Sequence, residues 1–391
     1  MTVNKKKGFT MKKILLFYGA YGGGHLAAAK SIKEFIDKNY PDTETMMVDC
    51  IEYINKYLNK LTTTAYKEMA KKAPWMWKRV YDKSSYGALS KITSGANSLM
   101  SRKLDNILQE FKPDLVISTH PFSNQMCTKL KKQHKITCKI ATVLTDFAPH
   151  PQWTVDSEYI DYFFVSNYEL KNALSDMGIA DFKIFVTGIP VSERFSEHFD
   201  KESICKELSL DSNKDIVLFF AGGEFGLGRR RTRMILRALI RLFKNTQVVA
   251  ISGKNKRMYN KFVEIVKSYN AEDRIKVYEY TKKVPELMSI SKFVITKPGG
   301  LTTTESLVSD LPIVIINPIP GQEEENAEFL EKNKLAVWIK KDDNGARVLK
   351  NLYRHPEIIE EIRSNIPKFA KPNSTADICN ILLGDYKETK E

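Results

Sequence analysis

The chain has 391 residues, 42% of them hydrophobic and 28% charged, with 61 Lys and Arg against 47 Asp and Glu. That length exceeds one typical core and suits two domains of ordinary globular composition. The net charge of +14 points to an acidic partner: nucleic acid, an anionic membrane or a nucleotide.

Residues 1–10 are polar and basic and precede the first expected element. Ile14 to Tyr18 is a short apolar run, as expected of a strand buried on both faces. Lys12-Lys13 before it imitates a signal peptide, but the run is too short and a glycine-rich turn replaces the cleavage site. No apolar run approaches the ~20 residues of a membrane-spanning helix. Cys50, Cys127, Cys138, Cys205 and Cys379 form no Cys-x-x-Cys pair, so they read as free thiols of a reducing compartment.

Gly19-Ala20-Tyr21-Gly22-Gly23-Gly24-His25 joins that strand to a helix whose apolar stripe is Leu26, Ala29, Ile32, Phe35 and Ile36. Strand, glycine loop, helix is a phosphate-binding arrangement. Here it lacks the Gly-Lys-Ser/Thr of a Walker loop and the glycine spacing of a dinucleotide fingerprint. His25, at the junction, is a candidate catalytic base or a structural histidine.

Lys56 to Lys103 holds eleven Lys and Arg against two acids, interleaved with Tyr66, Trp75, Trp77, Tyr81 and Tyr86. Bases among interfacial aromatics suit an anionic bilayer, with Lys71, Lys72, Trp75, Trp77, Lys78 and Arg79 as the contact group. A solvated basic helix pair would give the same composition.

Strands resume at Leu115–Thr119, Ile140–Leu144, Tyr162–Val165 and Ile184–Val186, with intervening helices, so the sheet is expected to be parallel. Thr145-Asp146-Phe147-Ala148-Pro149-His150-Pro151-Gln152-Trp153 follows one of them. Asp146 and His150 are candidates to orient or activate a hydroxyl, or to cap the loop. His120, after another strand, is a weaker candidate.

The second half repeats the plan. Ile216–Phe220 leads into Gly222-Gly223 and then Arg229, Arg230, Arg231 and Arg233, while Gln247–Ser252 ends in Ser252-Gly253-Lys254. Strand Phe293–Thr296 is broken by Lys297-Pro298-Gly299-Gly300, and a helix starts near Leu301 with Thr302 in its first turn. Strand Ile313–Ile316 is followed by Pro320-Gly321 and a helix opening with Gln322 and Glu323. Glycines let backbone N–H groups approach a phosphate, and a helix dipole favours an anion. Glu305, one turn in, can accept two ribose hydroxyl hydrogen bonds.

The stretch Phe293 to Phe329 resembles the donor-binding segment of glycosyltransferase family 28. Within that family the chain is similar to the diacylglycerol glycosyltransferases and monogalactosyldiacylglycerol synthases, over roughly Ile14 to Ala370. It departs from the family's pattern at Glu224, where glycine is usual. The resemblance implies an α/β, GT-B-like fold of two doubly wound parallel-sheet domains facing across a cleft. Residues 11–190 would hold the acceptor and touch the membrane, and 191–370 would hold the nucleotide sugar. Residues 371–391 would pack back on the first domain.

The implied reaction moves a hexose from a UDP-sugar, glucose slightly ahead of galactose, to 1,2-diacylglycerol with inversion. His25, Asp146 and His150 would be the catalytic group. Gly23, Gly24, Gly222, Gly223, Ser252, Gly253, Lys297, Gly299, Gly300, Leu301, Thr302, Glu305, Gln322 and Glu323 would hold the donor. The sequence has no Asp-x-Asp pair, so neither a cofactor nor a metal is expected. The expected partners are UDP-sugar, diacylglycerol and anionic membrane lipids, without nucleic acid, at the cytoplasmic face of the cell membrane as a peripheral protein. Three alternatives stay open: a peptidoglycan-type N-acetylglucosaminyltransferase on a polyprenyl-linked acceptor, a sugar-nucleotide epimerase of similar fold, and a non-catalytic basic protein binding lipid or nucleic acid.

Overall fold

The computed structural model describes residues 12–19, 23–54, 103–221 and 229–384. Two six-stranded parallel sheets carry the fold. The first holds β1 (Lys12–Tyr18), β2 (Thr43–Asp49), β3 (Leu115–Ser118), β4 (Lys139–Val143), β5 (Tyr162–Val165) and β6 (Ile184–Val186), in the order β2-β1-β3-β4-β5-β6. The second holds β7 (Asp215–Phe220), β8 (Thr246–Ile251), β9 (Ile275–Tyr278), β10 (Phe293–Thr296), β11 (Ile313–Ile316) and β12 (Ala336–Ile339), in the order β12-β11-β10-β7-β8-β9. Both are doubly wound orders, so the expected GT-B-like architecture is present.

The strands form where apolar runs can bury both faces under flanking helices. In β1, Ile14 and Leu16 enter one core with Ile32 and Ile36, while Leu15 and Phe17 enter the other with Met126 and Trp153. In β7, Ile216 and Leu218 face one core, and Val217 and Phe219 the opposite one. Each such side chain, fully buried, contributes about 1.5–3 kcal/mol. Strand β2 has no counterpart among the sequence expectations. It lies at the sheet edge and all its residues are half-buried, so it needs no continuous apolar run.

The helix Ser374–Leu383 places Ile378 and Cys379 in one core with Ile32 and Ile36 of the first domain. Tyr40 Oη donates to Asn380 Oδ1 at 2.8 Å. Ser374 Oγ donates to the Ile189 carbonyl, and Thr375 Oγ1 to that of Val191, each at 2.8 Å.

Each sheet reverses direction of winding between two adjacent strands: β1 and β3 in the first, β7 and β10 in the second. Loops leaving the C-terminal ends there diverge and open a crevice. The loops after β1 and β3 lead to His25 and to Thr119-His120, and the loop after β10 carries Lys297 to Gly299. Among the described residues no helix is long and apolar enough to cross a membrane.

Candidate active site

His25 stands in the first turn of the helix Gly24–Asn39, which Gly23 opens at φ 83°. A side chain there would strain the backbone, which accounts for glycine at that position. The imidazole Nδ1 lies 2.5 Å from the Thr119 carbonyl oxygen and 3.1 Å from Thr145 Oγ1. A carbonyl can only accept, so Nδ1 carries the proton and Nε2 keeps the lone pair. The link is reciprocal, because Thr119 Oγ1 donates to the His25 carbonyl at 2.9 Å. Burial pushes His25 down to about 4, against the Thr119 carbonyl, which pulls it up. At neutral pH it is therefore an uncharged imidazole, the form a general base needs.

His120 meets the His25 ring edge-on, with centroids 4.7 Å apart. Burial first, and the neighbouring His25 second, hold it well below the usual histidine range. Its Nδ1 accepts from the Phe122 N–H at 3.2 Å and so caps the helix Pro121–Lys132. His150 does the same for the turn Pro151–Trp153, accepting from the Gln152 N–H at 3.2 Å, and burial lowers it to about 4.

Asp146 is buried at the junction of the domains. Gln322 Nε2 donates to its Oδ2, and Asn326 Nδ2 donates to its Oδ1 at 3.2 Å. Burial raises its carboxyl to about 7; Glu323 and Glu325 add to that, and the Asn326 and Gln322 amides oppose it. The structure thus sets Asp146 against the second domain. Asn326 is the site residue that sequence reasoning missed. Its signal was the spacing from Gln322, since side chains four apart on a helix share a face.

On the donor side, Gly299 caps the helix Gly300–Val308 at φ −68°, so neither it nor helical Gly300 serves a left-handed backbone. Gly300 is required for another reason. A Cβ there would lie 1.9 Å from the Thr145 carbonyl oxygen. Leu301 meets Gly24 across the cleft, where a Cβ on the glycine would lie 3.7 Å from Leu301 Cβ. That helix has no side-chain cap and no acid in its first turn, Thr302 included. The helix Gln322–Lys332 begins instead with Glu323, Glu324 and Glu325. Glu323 accepts from the Ile319 N–H at 2.8 Å and Glu324 from the Gly321 N–H at 3.3 Å. Of the two helix N-termini expected to meet an anion, only the first remains electrostatically open.

Lys297 Nζ lies 2.5 Å from Glu323 Oε1. Burial alone raises the Glu305 carboxyl to about 8, and no hydrogen-bond or ion-pair partner engages it among the described residues. Ser252 follows β8, fully buried, and Gly253 takes φ 62°. Gly222, Gly223, Lys71, Lys72, Trp75, Trp77, Lys78 and Arg79 lie outside the described residues. Lys103, at the end of the basic stretch, is described, and its Nζ donates to the Ile54 carbonyl at 2.6 Å.

Comparison with known proteins matches each half of the chain to a family. Residues 25–191 match the family described as monogalactosyldiacylglycerol (MGDG) synthase, and residues 218–377 match the glycosyltransferase family 28 C-terminal domain. A protein of Bacillus cereus named processive diacylglycerol beta-glucosyltransferase is 29% identical over 384 residues, covering 95% of this chain and 94% of its own. A protein of the same name from Bacillus mycoides is 29% identical over 382 residues, with the same coverage of both chains.

Among solved structures, the S. aureus MnaA–UDP co-structure superposes with a TM-score of 0.65 at 15% identity, covering 97% of this chain and all of that one (100%). The Acinetobacter baumannii MurG crystal structure gives 0.62 at 12%, covering 95% and 98%. At such identities these two show the fold alone, shared by a UDP-binding protein and MurG. The chain thus joins a segment that matches the monogalactosyldiacylglycerol synthase family, residues 25–191, to one that matches the glycosyltransferase family 28 C-terminal domain, residues 218–377.

Proposed function

We propose that this chain transfers glucose, in preference to galactose, from a UDP-sugar to 1,2-diacylglycerol, forming a β-glycolipid at an anionic membrane surface. The observation that carries the reading is the state of His25: neutral, with its Nδ1 proton committed to the Thr119 carbonyl and Nε2 left as the acceptor. It stands where the first-domain helix meets the uncapped helix of the donor loop.

In the proposed reaction Nε2 takes the proton of the free diacylglycerol hydroxyl while its oxygen attacks C1 of the sugar. The bond from C1 to the diphosphate oxygen breaks on the opposite face, and UDP leaves with the electron pair. The first-turn N–H groups of the helix Gly300–Val308 receive the diphosphate charge, as oriented dipoles do in a water-poor site. Glu305 takes the ribose hydroxyls, and Gln322 with Glu323 lies at the sugar end. The names of the Bacillus relatives favour glucose as donor sugar and diacylglycerol as acceptor. Membrane attachment rests on the bases and tryptophans of Lys56 to Lys103.

The test is incubation of the purified chain with labelled UDP-glucose or UDP-galactose and diacylglycerol liposomes. Label should move into the lipid extract, faster from UDP-glucose. The anomeric proton of the product should show the large coupling of a β-glucoside. Absence of lipid-soluble label from both donors, or an α-linked product, would sink the proposal.

A further inference from the structure

One side chain spends all its polar atoms across the junction of the domains. Asn326 is fully buried. Its Nδ2 donates to Asp146 Oδ1 at 3.2 Å and to the Pro298 carbonyl at 3.1 Å. Its Oδ1 accepts from the Phe147 N–H at 2.9 Å. Pro298 belongs to the donor loop after β10, whereas Asp146 and Phe147 belong to the loop after β4 of the first domain. A single amide therefore ties the two loops together.

Three contacts dock the same loop. Gln322 donates to Asp146 Oδ2. The Phe147 ring stacks on Phe329 at 5.3 Å and lies in the second domain's core. The Thr145 carbonyl closes on Gly300 so tightly that no Cβ fits between them. Within the first domain, Ser166 Oγ donates to the Asp146 carbonyl at 2.8 Å and Asn167 Nδ2 to that of Phe147 at 3.1 Å. The residue that begins the loop is Thr145, whose Oγ1 shares the His25 Nδ1 proton.

We propose that Asn326 is a positioning residue for glycosyl transfer: by seating the Thr145–Phe147 loop it holds the His25 imidazole in line, so that the base is aligned only when the two domains are closed on each other. This rests on the reading of His25 as the base. The ring torsion of a histidine is soft, and hydrogen bonds to Nδ1 set it. Thr119 holds one side of that nitrogen from within the first domain and does so whatever the second domain does. Thr145 holds the other side, and its position follows the loop that Asn326 seats. In an open cleft, water would reach the donor but meet a base held at one point instead of two, which protects the UDP-sugar from hydrolysis. Both Asp146 oxygens already accept amide hydrogens, so docking accounts for Asp146 without a proton transfer.

The experiment is a double-mutant cycle on kcat with Asn326→Ala and Asp146→Asn, together with calorimetric UDP affinity and amide exchange at Phe147. Transfer by the parent enzyme reports separately on the proposed function. Asn326→Ala should lower kcat about 10- to 100-fold, the cost of a misplacement near 1 Å. UDP affinity should change less than about threefold, since the donor sits on the second domain, and Phe147 exchange should accelerate. Asp146→Asn should cost a similar factor, and the double variant should be little worse than the poorer single one.

A kcat of Asn326→Ala within about twofold of the parent would overturn the proposal. So would multiplicative losses in the double variant, which would give Asp146 a separate catalytic role. If Asn326→Ala fails to bind UDP, Asn326→Ser replaces it in the cycle, keeping one short hydroxyl but neither amide N–H donor. Loss of UDP binding in both would make Asn326 part of the second domain's own fold and overturn the assignment.

Discussion

Replacing Gly300 by Ala separates the demands of the helix from those of the closed cleft. Gly300 is the first residue of its helix and has no positive φ, so the local backbone accepts Ala without strain. By helix propensity alone the change would stabilise the helix by up to about 1 kcal/mol. Against that, the new Cβ would lie 1.9 Å from the Thr145 oxygen and 2.9 Å from its carbonyl carbon. Close C–H···O contacts begin near 3.3 Å, so one backbone must retreat by roughly 1.4 Å. Neither partner is a flexible side-chain tip, so the movement falls on the junction of the domains. A displacement of that size costs about 10²-fold in turnover, or roughly 2.7 kcal/mol of barrier. We therefore predict that Gly300→Ala melts at or slightly above the parent temperature, binds UDP nearly as well, and turns over about 10²-fold more slowly. Calorimetry, thermal unfolding and the lipid-transfer assay measure the three quantities. Turnover within a few-fold of the parent would show that the Thr145–Gly300 contact is dispensable and refute the reasoning.

His25→Ala should lower kcat by about 10²–10⁴ with little effect on UDP affinity. Because burial lowers His25 to about 4, its acid limb in parent kcat should fall near that pH, not near 6.5; a limb near 6.5 abolished by the variant would contradict this. Glu305→Ala should weaken UDP by roughly 2–3 kcal/mol, and unchanged affinity would remove Glu305 from the ribose site. The sign of the pH effect follows from the raised carboxyl: below about 8 the empty protein holds the proton, and ribose hydroxyls favour the ionised form. UDP binding should then expel a proton and tighten as pH rises towards 8, and Glu305→Gln should remove that component. Activity should persist in excess EDTA; loss restored by Mg²⁺ or Mn²⁺ would show a metal-dependent reaction. Replacing Lys71, Lys72, Lys78 and Arg79 by Ser should reduce flotation with anionic liposomes at about 1 kcal/mol per base while sparing UDP affinity; equal flotation would return the segment to a solvated basic surface.

The fold was legible where burial acts on both faces of a strand. Tyr162–Val165, Ile184–Val186, Phe293–Thr296 and Ile313–Ile316 have in the structure the bounds that the apolar runs suggest. An edge strand such as Thr43–Asp49 leaves no such mark, because its residues need only partial cover. In the site, residues that meet local neighbours were legible, among them Gly23, His25 and the helix that carries Glu305. What joins them was not, because Asn326 and Asp146 are 180 positions apart and hydrogen-bond only once both sheets have formed. His150 shows the converse. A histidine between Pro149 and Pro151 invites a chemical role, and the structure shows its Nδ1 capping the turn that follows.

The electrostatics of the cleft suit a ligand that brings its own negative charge. A carboxylate beside His25 would hold the imidazole proton as firmly as the Thr119 carbonyl does, but it would also raise the pKa and place a charge near the diphosphate. The carbonyl orients the ring without a charge of its own, and burial outweighs its upward pull on the imidazole. Asp146 and Glu305 are pushed by burial to about 7 and about 8, so much of their charge is suppressed while the cleft is empty. Glu323 is paired with Lys297, Nζ to Oε1 at 2.5 Å, so the two offset each other. Pushing two carboxyls towards neutrality and pairing the third lowers the repulsion a diphosphate would meet on entry. On the proposed reading the cost is that Glu305 gives up its proton to receive the ribose as a carboxylate, which would couple donor binding to pH. In the proposed reaction the charge that finally departs, on UDP, faces the uncapped first turn of the helix Gly300–Val308, whose first turn carries no acidic side chain.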